Sequence, residues 1–252
     1  MYTQDYESYG TLHDTHKAMS INPRLGFVRK VYGILSIQLL VTALFVAAAC
    51  LESSPFFKLF HYTGSGKSGP TQLANALVMV SGVVSFIVCI MITCCTGMAR
   101  SVPTNYYLLT IFTVCEAYLV GYITSFYTPT SVLMCALLTL SLTITLTIYA
   151  CTTKTDFTGC GALLWVLGWG LFCMSAFTAL WYWGKVPYYA TACYAVAGIL
   201  IYGFYLIYDT QLIMGGGKYA LTLDDYVLAA LVIYIDIVVL FIRILSILGQ
   251  RR

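Results

Sequence analysis

Apolar residues fall in seven long runs, near 28–51, 73–96, 105–126, 131–150, 160–181, 189–214 and 226–248, separated by short polar or turn-forming stretches. Each run is long enough to cross a bilayer, which takes about 20 apolar residues as a helix. Helix is the expected form, because lipid offers no partner to unpaired backbone N–H and C=O groups. The breaks carry Pro70, Pro103, Pro129, Pro187 and Gly215-Gly216-Gly217, residue types that end helices and make turns. Tyr106, Tyr107, Trp181, Tyr182, Trp183, Tyr188 and Tyr189 gather at run ends, as interfacial anchors do. The first run follows a polar tail bearing Tyr2, Tyr6 and Tyr9. It is too long for a signal-peptide core and lacks a small-residue cleavage site, so it reads as span one. The pattern therefore predicts an all-α, polytopic membrane helix bundle of seven hydrophobic segments. Residues 1–26 are expected to be a disordered cytosolic tail, and 27–252 one transmembrane domain whose first partner is the lipid bilayer.

Composition agrees. Hydrophobic residues make up 60% and charged residues 9% of the 252 residues, against about 25% charged in soluble domains. So few charges cannot solvate a globule of this size. The net charge of +3 matters less than its placement. Lys17, Arg24, Arg29 and Lys30 stand before or at the start of span one and argue for a cytosolic N-terminus. Arg100, Lys154 and Lys218 then fall in cytosolic loops, and Lys58, Lys67 and Lys185 on the far side. Seven full spans also put Arg251 and Arg252 on the far side. A re-entrant last segment would return them to the cytosol, which suits the charge bias, whereas the length of 226–248 suits a complete span. Both remain open at this level.

Few motifs outside the spans carry chemistry. Most of the ten cysteines, such as Cys89, Cys115, Cys135, Cys173 and Cys193, lie within apolar runs and act as small hydrophobes. Cys94-Cys95 lacks metal-site spacing and a neighbouring histidine. Gly64-Ser-Gly-Lys-Ser-Gly69 is glycine-rich, but His61 stands where a phosphate-binding loop needs its first glycine, so a flexible loop is expected. His13 and His16 read as tail residues, and Tyr9-Gly-Thr-Leu12 as a sorting-signal pattern common by chance.

The informative residues are charges inside apolar runs, which are costly and face a bundle interior or a water cavity. They are Glu116, Asp209, Asp236 and Arg243. Asp236 lies ten residues into its run, about 15 Å deep at the helical rise. Asp209 and Asp236 occupy consecutive antiparallel segments, at depths that differ by roughly 7 Å on these boundaries, so they can face each other. Two close carboxylates in low dielectric cannot both ionise cheaply, so the pair is expected to share a proton near neutral pH. When both ionise they form an oxygen-rich site suited to a hard cation such as Ca²⁺. Tyr202 and Tyr205 precede Asp209 by seven and four residues, on its helical side. They either offer hydroxyls to the carboxylates or form a packing stripe. Arg243, seven residues after Asp236, either shares that face, where it is a candidate latch that neutralises the singly protonated pair, or snorkels to the interface. Glu116, with Tyr118 and Tyr122 nearby, is expected to face a cavity or a polar partner.

These residues sit in motifs that resemble the Bax-inhibitor-motif family, and within it the lifeguard branch. The motifs are Tyr208-Asp-Thr-Gln-Leu-Ile213, Asp224-Asp-Tyr-Val-Leu-Ala-Ala230, Tyr234-Ile-Asp-Ile237 and Ile244-Leu-Ser-Ile-Leu-Gly249. Gly26-Phe-Val-Arg-Lys-Val-Tyr32, Thr153-Lys-Thr-Asp-Phe157 and Phe112-Thr-Val-Cys-Glu-Ala117 extend the resemblance upstream, the last of them resembling Golgi-type members. The resemblance covers about residue 25 to the end. It implies a bundle around a central last helix, a pH-sensitive Ca²⁺ leak in the endoplasmic reticulum or Golgi membrane, and restraint of cell death. It maps the family's paired aspartates onto Asp209 and Asp236. It also suggests Arg100, after Cys94-Cys-Thr-Gly-Met-Ala, as a closed-state latch at the cytosolic end of span two.

Three functions follow as expectations. The first is a non-enzymatic channel with no cofactor, with Ca²⁺ as permeant ion and protons as regulator. The second is a non-conducting protein that acts on death-pathway membrane proteins. The third is an intramembrane aspartyl protease. Tyr208-Asp209 fits that class, but Ile233-Tyr-Ile stands before Asp236 instead of Gly-x-Gly, and no Pro-Ala-Leu follows. Nothing points to nucleic acid.

Overall fold

The computed structural model describes the backbone of residues 4–64, 67–181 and 188–252, and the side chains of 23–61, 70–175 and 190–252. The tail side chains, among them Tyr9, His13, His16 and Lys17, lie outside the described residues. So do the side chains of Lys67, of Lys185 and of the Trp181–Tyr189 part of the aromatic belt.

Among the described residues the chain forms nine α-helices: α1 (Gln4–Cys50), α2 (Pro55–Phe60), α3 (Gln72–Cys94), α4 (Thr96–Arg100), α5 (Thr104–Ser125), α6 (Pro129–Thr152), α7 (Gly161–Trp181), α8 (Tyr188–Met214) and α9 (Tyr226–Leu248). Seven helical stretches are long and apolar enough to span a membrane: 23–50 of α1, then α3, α5, α6, the α7 region, α8 and α9. They match the seven predicted segments to within a few residues. Local signals set several ends. Thr71 caps α3 by accepting from the Ala74 N–H at 3.0 Å. Pro129 opens α6, where its missing N–H costs nothing. The glycine-rich loop after α2 carries a short antiparallel ladder between Tyr62–Gly64 and Lys67–Gly69, more order than a flexible loop implies.

Leu40, Leu44, Met79, Phe86, Leu133 and Trp165 are each more than half exposed. A continuous outer coat of such residues is untenable in water and is what a lipid-facing bundle presents.

The core centres on α9, which packs against α1, α5, α6 and α8. Its buried residues, from Tyr226 through Ala230, Tyr234 and Leu240 to Leu245, point to every side of the helix. A helix apolar all round belongs in the middle of a bundle. Tyr234 meets this rule at its polar tip: its hydroxyl pairs with Thr42 of α1 at 2.7 Å, and its ring meets Phe112 of α5 edge-on.

The two ends of α9 lie at opposite ends of the bundle. Tyr226 accepts a hydrogen bond from Asn105 at the start of α5 (3.0 Å), and Lys30 lies 3.2 Å from its ring centroid. Past Leu248, Thr128 N–H donates to the Gln250 carbonyl (2.8 Å), Arg252 N–H to the Phe126 carbonyl (2.9 Å), and Arg252 Nη2 to the Cys50 carbonyl (3.0 Å). The last segment is thus one uninterrupted helix, long and apolar enough to cross a membrane, running from the end of the bundle where span one begins to the end where it finishes.

Candidate functional site

The α8–α9 seam places the two aspartates. Asp209 lies near the C-terminal end of α8, and Asp236 lies towards the middle of α9. The helices pack antiparallel along their length. The two carboxyl groups approach within hydrogen-bonding reach of each other. Both are buried, Asp209 being 8% and Asp236 3% exposed. Among the described residues the one ion pair joins Arg100 to Asp225, so neither buried aspartate has a cationic partner in contact. Asp236 Oδ2 has no hydrogen-bond partner among the described residues. Leaving two such carboxylates ionised out of water is costly, whereas one shared proton turns their repulsion into a hydrogen bond. No third His, Cys, Asp or Glu joins them among the described residues. Ca²⁺ takes about 6–8 oxygen ligands, so this pair suits a passing, still hydrated ion better than a stored one.

The other candidates divide. Tyr202 lies within electrostatic range of both Asp236 and Arg243, and its ring tilts against Tyr205 at 5.6 Å. Tyr205 does not turn its hydroxyl to the carboxylates. It donates to the Leu164 carbonyl of α7 at 2.6 Å, passing Gly168, where a Cβ would collide with it. Arg243 donates from Nη2 to the Tyr194 hydroxyl (2.8 Å) and lies 4.2 Å from that ring's centroid. Its approach requires a bare Gly198, since a Cβ there would stand 2.9 Å from Nε. Tyr194, Arg243, Tyr202 and the aspartates thus form one polar file along the α8–α9 seam. Glu116 is not part of it. It lies on α5 near Ser85 and Cys89 of α3 and Tyr234 of α9, and α5 packs chiefly on α1 and α3.

Arg100 also stands apart from the pair. It donates from Nε to Asp225 Oδ1 (2.8 Å) and from Nη2 to Asp225 Oδ2 (3.1 Å) and Thr222 (3.2 Å). Burial pushes the Asp225 carboxyl up, but the bonds from Arg100 and Thr222 and the charge of Arg100 outweigh it and hold it below the usual carboxylate range. The bridge pins α4 to the start of α9. Arg24 does the corresponding work for α8. It donates to the Leu221 carbonyl (2.6 Å) and to the Leu212 carbonyl in the last turn of α8, where a cation complements the helix dipole. Gly215, at φ +72°, takes the left-handed turn that ends α8 beside this guanidinium. Sequence reading used Arg24 only as an orientation charge and missed the role of Asp225. An Asp just before an apolar run was a legible helix-start signal, but nothing local marks the partner of Arg24, about two hundred residues away.

A multi-pass helical membrane protein with a buried carboxylate pair between its last two spans is the class these features define. Residues 24–252 match the family described as inhibitor of apoptosis-promoting Bax1. The chain is 33% identical over 90% of its length to human (Homo sapiens) protein lifeguard 3, covering 69% of that protein. The mouse (Mus musculus) lifeguard 3 is 34% identical over 90% of this chain and 70% of its own length. Mouse lifeguard 4 is 31% identical over 91% of this chain and 87% of its own. The chain belongs to this Bax-inhibitor family.

Proposed function

We propose that this protein is a pH-sensitive Ca²⁺ leak of an intracellular membrane, endoplasmic reticulum or Golgi, and that it restrains cell death. The observation that carries the reading is the Asp209–Asp236 pair, buried, mutually in reach and without a cationic partner. Ionised, the pair attracts cations and pushes α8 from α9. Singly protonated, it draws the two helices together. Acid therefore closes the leak. Ions would follow the seam lined by Tyr202 and, at its far end, Arg243, whose charge sets a barrier there. The pair handles ions and does no hydrolysis, since Ile233-Tyr234-Ile235 precedes Asp236 where the intramembrane proteases have Gly-x-Gly.

Charge supports a cytosolic N-terminus. Arg24, Arg29, Lys30, Arg100, Lys154 and Lys218 share one end of the bundle, against Lys58, Arg251 and Arg252 at the other. The family's description favours a second, compatible reading, in which the protein also acts on death-pathway membrane proteins. Ca²⁺ flux into liposomes holding the purified protein tests the channel directly. Flux that falls on acidification supports it. Absence of flux at every pH leaves the interaction reading in its place.

A further inference from the structure

α1 and α6 both pack on α9 yet barely touch each other. Between them a cleft of about 470 Å³ runs along α9, within the roughly 300–1,000 Å³ of ordinary ligand sites. Leu39 and Val46 of α1 and Val132 of α6 form its walls, and Val238 and Phe241 of α9 its floor. Leu133 and Leu140 on its rim are 61% and 55% exposed, so the cleft opens sideways, at the depth of the spans. Of its three threonines, Thr42 and Thr139 donate to carbonyls of their own helices, Gln38 and Cys135, and only the Thr143 hydroxyl is without a partner among the described residues; the rest of the lining is almost wholly apolar. The lining therefore suits hydrocarbon.

One end of the cleft is marked by charge. It finishes at Cys50 and Pro129, the last residue of α1 and the first of α6. Arg252 donates there to the Cys50 carbonyl and lies 4.9 Å from the Phe57 ring centroid. Arg251 bridges to Tyr127, 6.0 Å from its ring centroid. Both arginines are exposed, and neither forms an ion pair among the described residues. A guanidinium lying on an aromatic face keeps edge N–H groups free, in a fork that fits phosphate oxygens.

We propose that this cleft binds a membrane phospholipid, with one acyl chain along α9 and the headgroup phosphate on Arg251 and Arg252. The bilayer supplies such a molecule in the right orientation, tail at span depth and phosphate at the interface where the arginines stand. Ile237 and Val238 line the cleft, so the occupant braces the segment of α9 that follows Asp236.

The test uses the full chain in liposomes containing phosphatidylcholine with a photoreactive diazirine on its acyl chain, and adducts are mapped by peptide mass spectrometry. Adducts should concentrate on the cleft faces of α1 and α6, several-fold above the lipid face of α3 around Met79 and Phe86. Ala136→Trp, which fills the cleft from α6, should lower them several-fold while a thermal melt reports intact folding. Native mass spectrometry of detergent-released protein should find less retained phospholipid after the double change Arg251→Gln and Arg252→Gln. Adducts spread evenly over α3 and the cleft, or unchanged in a folded Ala136→Trp variant, overturn the site. Unchanged retention in the arginine variant overturns the headgroup contact.

Discussion

Asp236 has an oxygen with no hydrogen-bond partner among the described residues and a second carboxyl beside it, and in the proposed reading its chemistry depends on one shared proton. Asp209→Asn and Asp236→Asn each remove half of that proton-sharing unit. Both should flatten the pH dependence of Ca²⁺ flux in liposomes while leaving a folded protein. A folded single variant with the unmutated pH profile would sink the sensor role. Tyr205→Phe is the contrasting case. Its hydroxyl bonds α7, so its loss should cost about 1 kcal/mol in a thermal or denaturant melt and leave the flux profile unmoved. Arg24 makes two charge-assisted bonds to carbonyls, each worth roughly 1.5–3 kcal/mol. Arg24→Ala should therefore lower the melting temperature clearly, with α8 losing helix at its C-terminal end.

At the scale of elements, the Arg100–Asp225 bridge joins α4 to the start of α9. Asp225 is held below its usual range, so the bridge is complete above the unfolded carboxylate pKa of about 3.9 and is lost only as pH falls through the lower folded value. It therefore stays closed across the range in which a shared proton between Asp209 and Asp236 would act. Arg100→Gln should raise leak at acid pH by freeing the start of α9, without moving the midpoint of the pH profile. A shifted midpoint in flux titrations would instead make the bridge part of the sensor. Glu116 lies on α5 beside Ser85 of α3, off the α8–α9 seam. Glu116→Gln should keep normal flux, and altered conduction in the folded variant would place the pathway elsewhere.

For the whole molecule, α9 running end to end puts the chain's C-terminus at the opposite end of the bundle from the start of span one. A cysteine placed after Arg252 and one placed before Pro23 should label from opposite sides of a sealed vesicle with an impermeant reagent. Labelling from one side would mean that the last segment turns back. The C-terminal residues also tie the α5–α6 turn to the end of α1. Deleting residues 249–252 should loosen that end of the bundle, seen as faster amide exchange around 126–132.

Periodicity and hydrophobic length were enough, in the sequence alone, to place seven spans, because in lipid a long apolar run has helix as its one way to satisfy its backbone. Ionisable residues in those runs stood out for the same reason, so Asp209, Asp236, Glu116 and Arg243 were legible before any fold. What they touch was not. Depth along two antiparallel helices allowed Asp209 and Asp236 to meet, but whether they faced each other depended on how the helices are rotated, and packing around a central α9 sets that rotation. The same packing turned Tyr205 to α7, set Glu116 against α3, and gave Arg100 a partner in Asp225. The end-to-end course of the last helix through the bundle was likewise a tertiary decision. Length allowed either path, and only the hydrogen bonds from Gln250 and Arg252 to the turns at the far end of the bundle chose between them.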